Sequence, residues 1–194
     1  MKKFLFLTIA AFAFVIVVAP ASAAVSDTCE VDLTAYVGEN IDLACSVTSV
    51  DLGTVVPGTP VVGSSSCTVT TNADLGYDLL VRQDTPLTDN ESNTIAAYAG
   101  TIGTPTAWTG TGLGFSVYAS TATKDAKWGS ASTCTTGAAN NYAGFPGTSA
   151  IIMDHDSYSA TATTTDICYK LDVPSTQESG AYAGQVTYTA TTKP

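Results

Sequence analysis

The stretch Ile41 to Val81, IDLACSVTSVDLGTVVPGTPVVGSSSCTVTTNADLGYDLLV, decides the fold class. Ile41, Leu43, Cys45 and Val47 alternate with polar or small residues, the period-two pattern of a strand with one buried face. The same period returns over Cys67–Thr71 and over Tyr77, Leu79 and Val81. Pro57-Gly58 marks a tight turn, because proline presets φ and glycine accepts positive φ. Two cysteines within this stretch, Cys45 and Cys67, lie on segments that a turn-rich connection would bring side by side. The reading is an all-β, immunoglobulin-like antiparallel β-sandwich, braced by disulfides.

Outward from this stretch the pattern continues. Upstream, Val31, Leu33, Ala35 and Val37 alternate with Asp32, Thr34 and Tyr36, predicting a strand that either turns at Gly38-Glu39-Asn40 or bends there. Downstream, Val50–Val55 reads as a short strand, and Cys67–Thr71 and Tyr77–Arg82 as a strand pair joined across Asn72–Gly76. Phe115–Tyr118, Ala150–Met153, Asp166–Val173 and Ala181–Thr191 supply further strands, with Pro174–Gly180 as the turn before the last. Gln83–Gly114 and Ser130–Ser149 are polar and glycine-rich. Trp108, Trp128, Tyr142 and Phe145, set in this irregular half, read as core anchors.

Met1-Lys2-Lys3, the apolar run Phe4–Val18 and Ala21-Ser22-Ala23 have the three parts of a secretory signal peptide. The apolar run is too short for a membrane span with proper flanks. Residues 1–23 are therefore expected to be removed, leaving 24–194 as one sandwich domain, secreted to the cell exterior or cell surface without membrane insertion. Loss of Lys2 and Lys3 leaves 5 basic and 17 acidic residues, a net charge of −12. Such a surface excludes nucleic acid as an expected partner, since phosphate binding draws on clustered Lys and Arg.

Five cysteines in an exported chain without C-x-x-C read as disulfides before metal ligands. The preferred pairs are Cys45 with Cys67 and Cys134 with Cys168. Cys29 is left over, as a free thiol or one that pairs with another chain.

The order of a cysteine strand, Ser49-Val50-Asp51-Leu52-Gly53-Thr54-Val55, a Pro-Gly turn, a second cysteine strand and Asn72–Tyr77 resembles two groups of bacterial surface β-sandwiches. They are the WxL-type cell-wall-binding proteins and the spore-coat-U-like subunits related to chaperone-usher pilins. Ser179–Thr189, SGAYAGQVTYT, resembles the closing segment of both. The resemblance implies an immunoglobulin-like sandwich displayed outside the cell, without enzymatic activity. For the first group it implies binding to cell wall or surface glycan. For the second it implies copies of the chain associating through edge strands or a donated strand. Neither Trp108-Thr109-Gly110 nor Trp128-Gly129-Ser130 makes a Trp-x-Leu motif.

Few residues suggest chemistry. His155 lies between Asp154 and Asp156, and on a strand the aspartates would face away from the histidine, a poor set of ligands for one metal. No G-x-S-x-G elbow, phosphate loop or zinc cluster is present. Asp84, Asp89, Asn90 and Glu91 offer oxygen ligands for calcium but lack the D-x-D-x-D spacing of a preformed loop. Asn90-Glu91-Ser92 matches a glycosylation acceptor. No cofactor is expected. The expected role is that of a non-catalytic envelope, adhesion or wall-associated module. Its alternative is a subunit of a surface fibre, pilus or coat, and a remote third reading is a secreted polysaccharide hydrolase.

Overall fold

The computed structural model describes residues 24–194, so the leader expected over 1–23 lies outside the described residues. Residues 24–36 belong to one unit and Val37–Pro194 form a second, compact one. The first carries no strand or helix over the described residues 24–36, and its Val25, Val31, Leu33 and Tyr36 are exposed. The strand expected over Val31–Val37 is therefore not formed. Its alternation is intact, but a strand without a partner is not stable in water.

The compact unit holds nine strands among the described residues: β1 (Ile41–Cys45), β2 (Val61–Thr71), β3 (Tyr77–Thr88), β4 (Thr106–Ala107), β5 (Gly112–Ser120), β6 (Asn141–Gly144), β7 (Ala150–His155), β8 (Ser159–Asp172) and β9 (Ala183–Thr192). A single 3-10 turn, Ala126–Trp128, precedes β6. One sheet runs β1-β2-β8-β5-β6-β4 and the other β7-β3-β9, with every pairing antiparallel. The sheets pack face to face as an immunoglobulin-like β-sandwich.

The sequence pattern places the core between them. Alternate residues of β2 and β3, among them Cys67, Val69, Tyr77, Leu79 and Val81, are fully buried and meet Phe115, Val117 and Ile167 from β5 and β8. One expectation needs correction: β2 and β3 do not pair with each other. The connection Asn72–Gly76 carries the chain from the larger sheet to the smaller one, and Gly76 adopts φ +83° against the end of β7. A Cβ there would lie 1.9 Å from the His155 carbonyl oxygen, so only glycine lets the crossing pass so close. Pro174–Gly180 likewise crosses between sheets, from β8 to β9. The Pro57-Gly58 turn forms as expected, with Thr59 N–H donating to Val56 O at 2.9 Å.

The irregular half covers the outer face of the larger sheet. Ile167 to Asp172 are all buried, so β8 is covered on both sides. Its outward residues Cys168 and Lys170 lie beneath Tyr98, Trp108 and Tyr142, with Tyr98 stacked on Trp108 at 4.3 Å. Cys134 forms the expected disulfide with Cys168. The Lys170 ammonium donates to Thr136 O at 2.7 Å and sits over the Trp108 and Tyr142 rings. Burial lowers its pKa, and nearby Asp172 offsets part of that shift. The expected aromatic anchors are thus real: Trp128, Tyr142 and Phe145 are buried and Trp108 is half-buried.

Candidate functional site

An open groove runs between the sheets on the side where β1 and β9 are the edge strands. It consists of two adjoining cavities of about 420 and 550 Å³, which share Val50, Leu52 and Leu87. One end is bounded by Cys45 and Tyr188, with Phe145 and Leu113 deeper in. The other ends at Val55, Pro57 and Tyr182.

The groove follows from local sequence. After β1 the chain Ser46–Val56 contains Asp51-Leu52-Gly53, whose Gly53 N–H donates to Asp51 Oδ1 at 2.8 Å with φ +68° at the glycine. This Asx-type turn takes the place of the strand expected over Val50–Val55. The segment becomes a rim instead, touching the core only through half-buried Val50, Leu52 and Val55. Opposite, β9 pairs with β3 alone and β1 with β2 alone, which leaves each with an unpaired edge. Val186, Tyr188 and Ala190 of β9 are accordingly only half-buried. Unpaired edges are templates for a further strand.

The groove lining is mostly apolar, with one polar spot. The Tyr169 hydroxyl shares hydrogen bonds with Ser65 Oγ at 2.8 Å and with the Tyr188 hydroxyl at 2.9 Å. Burial, reinforced by Tyr169, holds the Tyr188 phenol well above its usual pKa, so the three hydroxyls stay neutral.

Cys45 and Cys67 face each other across β1 and β2, directly paired in register, with their sulfurs 2.9 Å apart. They are thiols in the structure, placed where a disulfide bonds readily. Burial of Cys67 pushes its thiol pKa up, and Cys45 adds to the shift. Cys45 is exposed on the groove rim, and Cys29 is exposed in the first unit.

The remaining sequence candidates are dispersed. Asp154 and Asp156 both bind the Lys193 ammonium, and Asp78 lies 3.6 Å from it. His155 points the other way, tilted against Tyr77 with ring centroids 5.3 Å apart, and its Nε2 lies 3.2 Å from Ser157 Oγ. That is the alternation expected of a strand. Asp84 pairs with Arg82 at 2.6 Å and accepts from Thr187. Asp89 accepts from the amides of Glu91 and Asn93 and from the Asn93 side chain, which closes its own turn. Among the described residues no three His, Cys, Asp or Glu side chains gather as a metal site, so Asp84, Asp89 and Glu91 share no coordination shell. Nor is any helix among them long and apolar enough to cross a membrane.

Sequence reasoning located the cysteines and the closing strand but missed the rim and the tyrosine pair. The Asp51-Leu52-Gly53 turn is the one local signal that pointed to a rim. No protein-family model matches the chain, and comparison with curated proteins finds no match.

Proposed function

We propose that this chain is a non-catalytic surface subunit whose copies join by strand addition, the segment Val31–Val37 of one copy entering the groove of the next. The observation that carries this reading is the pairing of an open groove, walled by the unpaired edge of β9 and the Ser46–Val56 rim, with an exposed, alternating segment of the same length. Val31 to Val37 spans the same number of residues as Tyr182 to Tyr188 along the groove wall. Main-chain hydrogen bonds to β9 would supply affinity, and the alternate side chains Val31, Leu33, Ala35 and Val37 would fill the cavities. Each larger side chain so buried contributes about 1.5–3 kcal/mol before the ordering of the segment is subtracted. The acidic surface and the signal-like leader support export to a cell surface.

Light scattering after size exclusion tests this on residues 24–194. A concentration-dependent ladder of masses is expected, collapsing to monomer in the double variant Val31→Asp/Leu33→Asp, whose melting temperature should match that of the wild type diluted to monomer. A monomer at every concentration overturns strand addition and leaves the reading of an independent wall- or glycan-binding module, to be pursued by co-sedimentation with cell walls.

A further inference from the structure

We propose that successive copies become covalently joined by a disulfide between Cys29 of the entering segment and Cys45 on the receiving groove. This inference rests on the strand-addition reading and adds chemistry to it.

Three observations bring the two cysteines together. The first is parity. Cys29 shares the odd positions of Val31, Leu33, Ala35 and Val37, so on an extended segment its side chain lies on the same face as those that would fill the groove. The second is direction. A strand antiparallel to β9 is the more stable and more common pairing. In that sense the segment runs from the Tyr188 end toward the Tyr182 end, with Val31 opposite Tyr188 and Val37 opposite Tyr182. Cys29 then emerges about 7 Å beyond Val31, at the end of the groove that Cys45 lines. A parallel strand would deliver it to the far end, beside Pro57 and Tyr182.

The third observation is the asymmetry of the receiving pair. Cys45 is exposed and Cys67 is completely buried, although the two sulfurs touch. In an oxidising compartment a low-molecular-weight disulfide takes two electrons from these thiols. It is itself reduced to two thiols, and Cys45 and Cys67 become bonded. When a segment enters, the Cys29 thiolate attacks the accessible Cys45 sulfur. The Cys29–Cys45 bond forms, the Cys45–Cys67 bond breaks, and Cys67 departs with the electron pair and takes up the proton that Cys29 lost. No further oxidant is needed. Cys67 ends as a neutral thiol in an apolar site, the form that burial favours. Holding Cys29 at the rim raises its effective concentration to the millimolar range.

The test uses residues 24–194 assembled under mild oxidation by glutathione disulfide, alkylated, then denatured without reductant. A ladder that survives denaturation and collapses with dithiothreitol is expected, with a Cys29–Cys45 linked peptide on mass mapping. Cys29→Ser, which changes only the exposed segment, should abolish the dithiothreitol-sensitive ladder while still assembling by light scattering. Assemblies that fall apart in denaturant without reductant, or a link mapped as Cys29–Cys29, overturn the covalent joint and leave strand addition standing. Absence of any assembly, in wild type and variant alike, overturns both.

Discussion

The two long sides of the sandwich are finished in opposite ways. On the side of β7, Trp128 fills the gap between sheets: it is fully buried, packs 5.4 Å from Phe115 of β5, and its indole N–H donates to Ile152 O of β7 at 3.3 Å. Beside it Ile152 and Met153 are buried. On the side of β9 no such plug exists among the described residues, and Val186 and Tyr188 stay half-covered above the groove. The same sandwich thus has one side filled by its own chain and one side left uncovered. Core closure is a property of each side, not of the fold.

That contrast can be broken or sharpened by measurement. The largest effect belongs to the closed side. Trp128→Ala removes a fully buried indole and should cost about 3–5 kcal/mol, read from chemical denaturation. If it costs less than Val186→Ala, the assignment of closed and open sides fails. Next comes the outer cover, where replacing both Cys134 and Cys168 by serine should cost about 2–4 kcal/mol and loosen the loop around Thr136. On the open side Val186→Ala should cost only about 0.5–1 kcal/mol in an isolated subunit, because the side chain is half-exposed. In assembled copies the loss should be larger, so its melting temperature should depend on protein concentration.

The smallest effect is electrostatic. Hydrogen bonding and charge from Lys193 hold the Asp156 carboxyl below its usual pKa, and hydrogen bonds from Asn93 do the same for Asp89. For a carboxyl whose folded pKa is depressed, the stabilisation is complete above the unfolded value of about 3.9 and is lost as pH falls through the folded one. Melting temperature should therefore be level from about pH 7 to 5 and decline below about pH 4. In Lys193→Ala the acid decline should be shallower, and an unchanged profile would remove Lys193 as its source.

Much of this fold was legible because burial and side-chain period coincide. The alternation at Val69, Tyr77, Leu79 and Val81 is the alternation of a half-buried sheet, and it locates β2 and β3 without further help. What alternation does not encode is the partner. Val31–Val37 has the pattern of a strand and forms none, while Cys67–Thr71 and Tyr77–Arg82, adjacent in sequence, belong to different sheets. The Cys134–Cys168 pairing was accessible because one residue lay on a clear strand. The groove was not, since it depends on the rim at Ser46–Val56 and on an edge of β9, both set by long-range packing. Lys170 carried no sign of its burial, because loops distant in sequence cover it.

The grip of Lys193 has a mechanical consequence. In a series of copies joined through β9, tension would enter each subunit along that strand. Because β9 lies antiparallel along most of β3, its hydrogen bonds would be loaded together in shear and not peeled one at a time. Lys193 follows directly on β9 and binds Asp154 and Asp156 on the far side of β3, so the strand's end is pinned across the full width of the smaller sheet. A pull on β9 is thereby shared with β7, and the three strands bear load as one plate.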